Sequence, residues 1–308
     1  MEKNPAWPPT LPHLLEACTS PLEKELVWAV GSPALMGCQA PGIERHLTPG
    51  FFEAARLDLD QWIHDAERTP RVEAEVLGSK AMRLGHRFER LIQWWFHEHP
   101  EWTVHAQNEV VQLGKHTAGE IDLLAERNGE WTHFELACKF YLSARRSSQW
   151  TSWIGLDPKD SLDQKLTVFQ RQIELTQREE VRPWLAERKW QVDAHHIWMK
   201  GWFFQHFQDL SHPVLPKSHG INCCVGWWCH LQDWPTIWNT STAWIALQPA
   251  HWMRIRHRKT DVTLLHDADD AKAELAGRRA LMVAQAEWVG SEWVETSRGV
   301  LVQNEWPD

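Results

Sequence analysis

Long apolar runs are missing from this chain of 308 residues. None approaches the ~18 consecutive residues that a membrane helix needs, and Met1 to Pro12 has no apolar stretch behind a basic start. The expectation is a protein of the cytoplasm, with no membrane partner and no cleaved signal. Cysteine is sparse as well. The six, at positions 18, 38, 138, 223, 224 and 229, are scattered, which fits reduced thiols in a bacterial-type cytoplasm better than a disulfide framework. Positive charge is in the minority. With 32 Lys and Arg against 41 Asp and Glu, the net charge is -9, which argues against a protein that coats nucleic acid by long-range attraction. Tyrosine is nearly absent too, 1 Tyr standing against 22 Trp.

What is present is the composition of a globular protein. Hydrophobic residues make up 43% and charged residues 24%, so the chain can bury one substantial core, or one core and a smaller appended domain. Residues 1–75 read as an N-terminal helical segment, with a periodic run from Leu22 to Val30 broken by Gly31, Ser32 and Pro33. From Ala81 to His97, apolar residues at Leu84, Phe88, Leu91, Ile92, Trp95 and Phe96 have the spacing of an amphipathic helix. A strand-like stretch from Thr103 to Leu113 leads into alternating runs at Glu120 to Ala125 and Trp131 to Tyr141. Asn128-Gly129 between them is a strong two-residue turn signal. Leu162 to about Thr176 reads as a second helix, with Ser161 and Gln164 as a capping box. Residues 76–190 thus form a core of helix, three strands and helix. Residues 191–308 read as a β-rich part that completes or is appended to it: strands over Ala194 to Phe204, Ile221 to His230, Thr242 to Leu247 and Arg298 to Gln303, and a helix over Ala268 to Ala284.

If Asn128-Gly129 forms the turn, opposed residue numbers add up to 257, which sets Asp122 against Glu135, Glu120 against Ala137 and Ala118 against Lys139. Period-two alternation places Glu120, Asp122, His133, Glu135, Ala137 and Lys139 on one face. It places Ile121, Leu123, Phe134, Leu136, Cys138 and Phe140 on the other, the core side. Carboxylates opposed across a ladder stand roughly 4.5–5.5 Å apart at Cβ and repel. A hard divalent cation, Mg²⁺ or Mn²⁺, would offset that repulsion; so would a shared proton, solvent, or nearby Lys and Arg.

Glu89 lies one turn after Gly85 at the edge of the first helix's apolar stripe, where its carboxylate can point along the sheet. Gly85 costs roughly 1 kcal/mol against Ala, which a close approach of the helix to something would explain. On the second helix, Lys165 and Gln172 are seven residues apart on one flank and could face the same cleft, or simply border the stripe. Lys139 to Arg171 carries a surplus of three positive charges. Arg145 and Arg146, within it, are candidates for gripping phosphates.

GEIDLL, a hairpin, and then an apolar strand with Glu and Lys resemble the PD-(D/E)XK nuclease superfamily. Its core is a helix, a three-stranded meander, a crossover helix and a further strand. The resemblance implies a restriction-endonuclease-like α/β fold and phosphodiester hydrolysis of DNA or RNA with Mg²⁺ or Mn²⁺. Metal would be held by Glu89, Asp122 and Glu135; the catalytic set would be Asp122, Glu135 and Lys139; and Arg145, Arg146, Lys165 and Gln172 would meet the substrate. The alternative is a catalytically inactive module of the same fold that binds nucleic acid or protein. ELVWAVGSPALM, LGHRFERLIQWW, GEIDLL, FELACKFYL, WIGLDPKDSLDQKL and RGVLVQNEWP together are similar to a bacterial family defined as domain of unknown function 1853. One departure matters: the superfamily expects Glu-x-Lys, but Ala137 stands at the Lys position and Lys139 lies two residues on. Four residues of strand span roughly 13 Å, so a structural Lys139–Glu120 pair rivals a catalytic lysine.

Three further signals carry less. Cys223, Cys224, Cys229 and His230, with His219 nearby, lack the usual zinc spacing. His195-His196 has no third ligand in sequence. The tryptophans at 227, 228, 234, 238, 244 and 252 could stack bases or fill a core.

Overall fold

The period-two and period-3.6 runs assemble into a mixed α/β architecture around one large, mostly open sheet. The computed structural model describes residues 11–40, 42, 43, 46, 49–63 and 83–307. Of the expected helical segment over 1–75, residues 1–10, 41, 44, 45, 47, 48 and 64–75 lie outside the described residues, as do Ala81 and Met82.

The helices before the sheet are α1 (Leu11–Glu16), α2 (Pro21–Gly31), α3 (Pro49–Ile63) and α4 (Leu84–Glu98). Ser20 opens α2 as a full capping box with Glu23, satisfying two otherwise orphaned N–H groups. Next come β1 (Thr103–Leu113), β2 (His116–Arg127), β3 (Glu130–Ser143), β4 (Trp153–Gly155), α5 (Leu162–Leu175), α6 (Arg182–Glu187), β5 (Ala194–His206) and β6 (Cys224–His230). After them stand α7 (Trp234–Ile237), β7 (Ala243–Leu247), β8 (Arg256–His257), β9 (Val262–Leu265), α8 (Ala268–Leu275), β10 (Ala280–Val289) and β11 (Glu292–Val302). The helix expected over Ala268 to Ala284 therefore ends early. Gly277 at φ +72° breaks it, and residues from Ala280 on pair with both β7 and β11.

Among the described residues the sheet has eleven strands, in the order β1-β2-β3-β5-β6-β11-β10-β7-β9, with β4 beside β3 and β8 beside β11. It is parallel where β3, β5, β6 and β11 adjoin and antiparallel towards both ends. Residues 191–308 thus continue the sheet begun by β1 to β3. The parallel centre is covered on both faces, which is why β5 is buried without alternation from Ile197 to Gln205. On one face, Phe88, Leu91, Ile92, Trp95 and Phe96 of α4 pack with Leu123, Phe134, Leu136 and Cys138. On the other, Leu162, Leu166, Phe169 and Ile173 of α5 pack with Ala137, Tyr141, Ile197 and Met199. Trp227, Trp228, Trp234 and Trp244 are buried, and Trp238 and Trp252 pack against the core, so those tryptophans fill it.

Among the described residues, one buried cation sits in this core without a carboxylate partner. Lys200 on β5 is fully buried; its ammonium donates to the Ser32 carbonyl and lies 4.7 Å from the Phe52 ring centroid. Burial pushes its pKa down to about 7 from 10.5. Between those values the unfolded chain holds a proton that the folded protein has lost, so this group makes stability rise with pH from about 7 to about 10.5. Lys200→Met is expected to raise stability by roughly 1–3 kcal/mol at pH 7 and to flatten that rise. Urea midpoints at pH 7 and pH 10 read both effects, and a lower midpoint at pH 7 would contradict the argument.

Candidate functional site

The hairpin turns at Asn128 and Gly129, with φ of 55° and 83°, the left-handed pair a two-residue turn requires. Its ladder keeps the sum of 257 from Arg127↔Glu130 to Leu123↔Phe134 and then stops. The opposed pairs expected beyond it, Asp122 with Glu135, Glu120 with Ala137 and Ala118 with Lys139, do not form as rungs, because β2 and β3 separate at Asp122. There the Asp122 carboxylate replaces a backbone acceptor: its Oδ2 accepts from the Leu136 N–H at 2.9 Å. The alternation also slips at this point. Leu123 and Ala125 face the α4 side, while Ile121 joins Leu124 and Val111 in a separate cluster with Trp184.

Gln93 of α4 holds the parting strand in place. Its amide donates to the Asp122 carbonyl at 3.0 Å and to Asn108 Oδ1 at 2.7 Å. Asn108 itself has φ of 48° and lies between the two β1 residues paired with Leu123 and Ile121. Nothing in the sequence reading singled out Gln93. The available signal was a polar residue four positions after Glu89, inside a run of buried apolar ones.

Four predicted residues come within electrostatic reach of one another at the split. Glu89 comes from α4 on one face of the sheet, Lys165 from α5 on the other, and Asp122 and Glu135 come from the separating strands. Burial first, then the Glu135 charge, pushes Asp122 up to about 7. Burial pushes Glu135 up to about 8, with Lys165 opposing and Glu120 and Glu89 adding to the rise. Glu89 is also raised, by burial and then by Asp122. Asp122 and Glu135 are close enough to share a proton. Burial holds Lys165 below its ordinary value even though Glu135, Asp122 and Glu89 all pull it upward; its ammonium stands 3.9 Å over the Phe169 ring.

His133 completes the cluster. It is fully buried, is pushed down to about 4 and is therefore neutral at pH 7. Its Nε2 lies 2.9 Å from Glu135 Oε1. Glu135 Oε2, also buried, has no hydrogen-bond partner. An orphaned carboxylate oxygen beside two further carboxyl groups is hard-oxygen chemistry that suits Mg²⁺ or Mn²⁺, but Glu89, Asp122 and Glu135 do not bring one oxygen each within 4.8 Å, so a cation would have to draw them together.

Beside the cluster opens a cavity of about 410 Å³ whose walls include Arg83, His86, Glu89, Lys139, Asp160 and Lys165. Lys139 pairs with Asp160 at 2.7 Å; the Lys139–Glu120 pair considered from sequence does not form. Gly85 also lines the cavity, and a Cβ there would meet nothing within 4 Å. Its lack of a side chain therefore does not serve the tight helix approach its position suggested. Gln172, Arg145 and Arg146 lie outside the cavity wall. Arg146 is tied to Asp209 at 3.3 Å and to the His212 carbonyl at 3.1 Å.

Searches of curated proteins and of solved structures return no match. The family model described as Domain of unknown function (DUF1853) matches residues 24–302. It spans most of the chain, from α2 through β11, and this protein belongs to that family.

Proposed function

We propose that the chain is a nuclease of the PD-(D/E)XK type, with a restriction-endonuclease-like core, that hydrolyses phosphodiester bonds of DNA or RNA. One observation supports the reading: where β2 leaves β3, the buried carboxyls of Asp122 and Glu135 and that of Glu89 raise one another's pKa and share the charge of Lys165, next to a cavity of about 410 Å³ that Glu89 and Lys165 line. Glu89, Asp122 and Glu135 would hold the divalent cation. A bound Mg²⁺ or Mn²⁺ would polarise a phosphoryl oxygen and lower the pKa of coordinated water. His133, neutral and hydrogen-bonded to Glu135 Oε1, fixes that carboxylate and leaves Oε2 without a hydrogen-bond partner. Lys165 is the cation whose charge is felt by all three carboxylates. It would stabilise the negative charge that develops on the phosphate, in place of the superfamily's lysine, whose position Ala137 occupies here. Lys139, neutralised by Asp160, and Arg83 and His86 at the cavity wall would contact flanking phosphates.

The test is degradation of labelled single- and double-stranded DNA and RNA with Mg²⁺ or Mn²⁺, with Glu135→Ala as control; equal degradation by wild type and control would mean a contaminant. Lys165→Met is expected to slow cleavage by about 10²–10³-fold while Mn²⁺ affinity stays within a few-fold. Lys139→Met should cost less than tenfold. If Lys139→Met is the more damaging, the roles given to the two lysines are reversed. Mn²⁺ binding that Asp122→Ala abolishes, with no cleavage of any substrate, would favour an inactive binding module.

A further inference from the structure

The cysteines and histidine that suggested zinc in sequence do not converge. Cys223, Cys224 and Cys229 lie in three different core clusters. His230 nevertheless has metal-ligand neighbours, and they come from elsewhere in the chain. His206 ends β5, His230 ends the adjacent parallel strand β6, and Asp233 closes the 3-10 turn that follows. One ligand atom from each of these three residues lies within 4.8 Å of the other two.

We propose that His206, His230 and Asp233 form a second metal site, which binds a zinc-class divalent cation through two imidazole nitrogens and one carboxylate oxygen. The site is separate from the carboxylate cluster. Glu135 pairs with Ile197 on β5, nine residues before His206 and so roughly 30 Å along the strand. The inference does not depend on the nuclease reading.

Three features support it. The first is orientation. His230 Nε2 lies 2.9 Å from the Trp306 carbonyl oxygen, which can only accept, so Nε2 carries the hydrogen and Nδ1 keeps its lone pair. That Nδ1 faces Asp233 Oδ2 at 3.8 Å. An N–H donated to a main-chain carbonyl is the usual outer support of a metal-bound histidine.

The second feature is spacing. A separation of 3.8 Å is too long for a hydrogen bond. Ligands bonded to Zn²⁺ at ~2.0–2.2 Å stand about 3.3 Å apart, so small side-chain rotations close the site. The third is chemistry. Two nitrogen donors and one oxygen suit Zn²⁺ and disfavour Mg²⁺, which prefers an all-oxygen shell. The neighbouring Asp209 is engaged by Arg146, and all three ligands are only half-buried, so a fourth position is left for water. Occupied, the site would tie the ends of β5 and β6 to the closing segment, which Gln232 already meets through Asn304 Oδ1 at 2.9 Å.

The experiment uses the full chain stripped of metal by chelator dialysis. Zn²⁺ is titrated calorimetrically, and Co²⁺ is added as a reporter whose visible absorption marks a tetrahedral nitrogen and oxygen site. Wild type and Glu135→Gln are both expected to show the Co²⁺ band. His206→Gln and His230→Gln should lose the band, with Zn²⁺ affinity falling at least ~100-fold. Asp233→Asn, on the turn outside the strands, serves if either histidine variant fails to give the wild-type circular dichroism. No band in wild type overturns the proposal. So does a band that Glu135→Gln removes, or one that survives the histidine and Asp233 substitutions.

Discussion

Glu135→Gln is expected to remove Mn²⁺ binding and to slow nucleic-acid cleavage by at least about 10³-fold, the scale of loss when a group acting at the reacting centre is deleted. The same substitution should make the metal-free protein more stable. Asp122 is pushed up to about 7 from 3.8, and Glu135 to about 8 from 4.5. The two titrate as a pair. Between about pH 4 and pH 8 the folded protein therefore holds more protons than the unfolded chain. The stability tied to this pair is fully present below about pH 4 and is lost as pH rises through about 8. A neutral amide at 135 ends the mutual repulsion, so the thermal midpoint of the metal-free variant at pH 8 should exceed that of wild type, by about 2–4 °C for each kcal/mol relieved. Mn²⁺ should raise the midpoint of wild type and leave the variant unmoved. Unchanged Mn²⁺ affinity in Glu135→Gln, measured by calorimetry, would remove this carboxylate from the site.

Gly201→Ala is expected to abolish stable folding. Gly201 has φ of +143°, a conformation that side chains rarely adopt, and it pairs with Lys139 in the β3·β5 ladder. A Cβ there would stand 1.7 Å from the Lys139 carbonyl oxygen. That oxygen belongs to a backbone held in register from Thr132↔Ala194 to Leu142↔Phe204, so it cannot step aside as a flexible side chain would. Relief requires opening the ladder that joins the hairpin to the rest of the sheet. The loss should exceed about 4 kcal/mol and approach the whole stability of a typical domain. Soluble yield and the urea midpoint are the readouts. A variant that unfolds at the wild-type midpoint would mean that β3 and β5 are not this close.

Much of the fold was legible because it rests on local chemistry. The Asn128-Gly129 turn set the register correctly as far as Leu123↔Phe134, since turn type and period-two burial both act over a few residues. The stripe from Phe88 to Phe96 and Ser161 before α5 marked two helices for similar reasons. The helix expected after Ala268 ran too far because Ala280 to Ala284 has the composition of either element, and long-range pairing with β7 and β11 decided between them.

The candidate site divides in the same way. The sequence alone determined which residue types were available and that Asp122 and Glu135 lay near the same stretch of hairpin. Tertiary structure decided that the strands part at Asp122, that Gln93 and His133 support the carboxylates, and that Lys165 and not Lys139 faces all three. It also brought His206, His230 and Asp233 together. The physical reason is range. Turn and periodicity rules describe neighbours along the chain, whereas a cluster of like charges is set by helices packed on opposite faces of the sheet and by burial, which no local window contains.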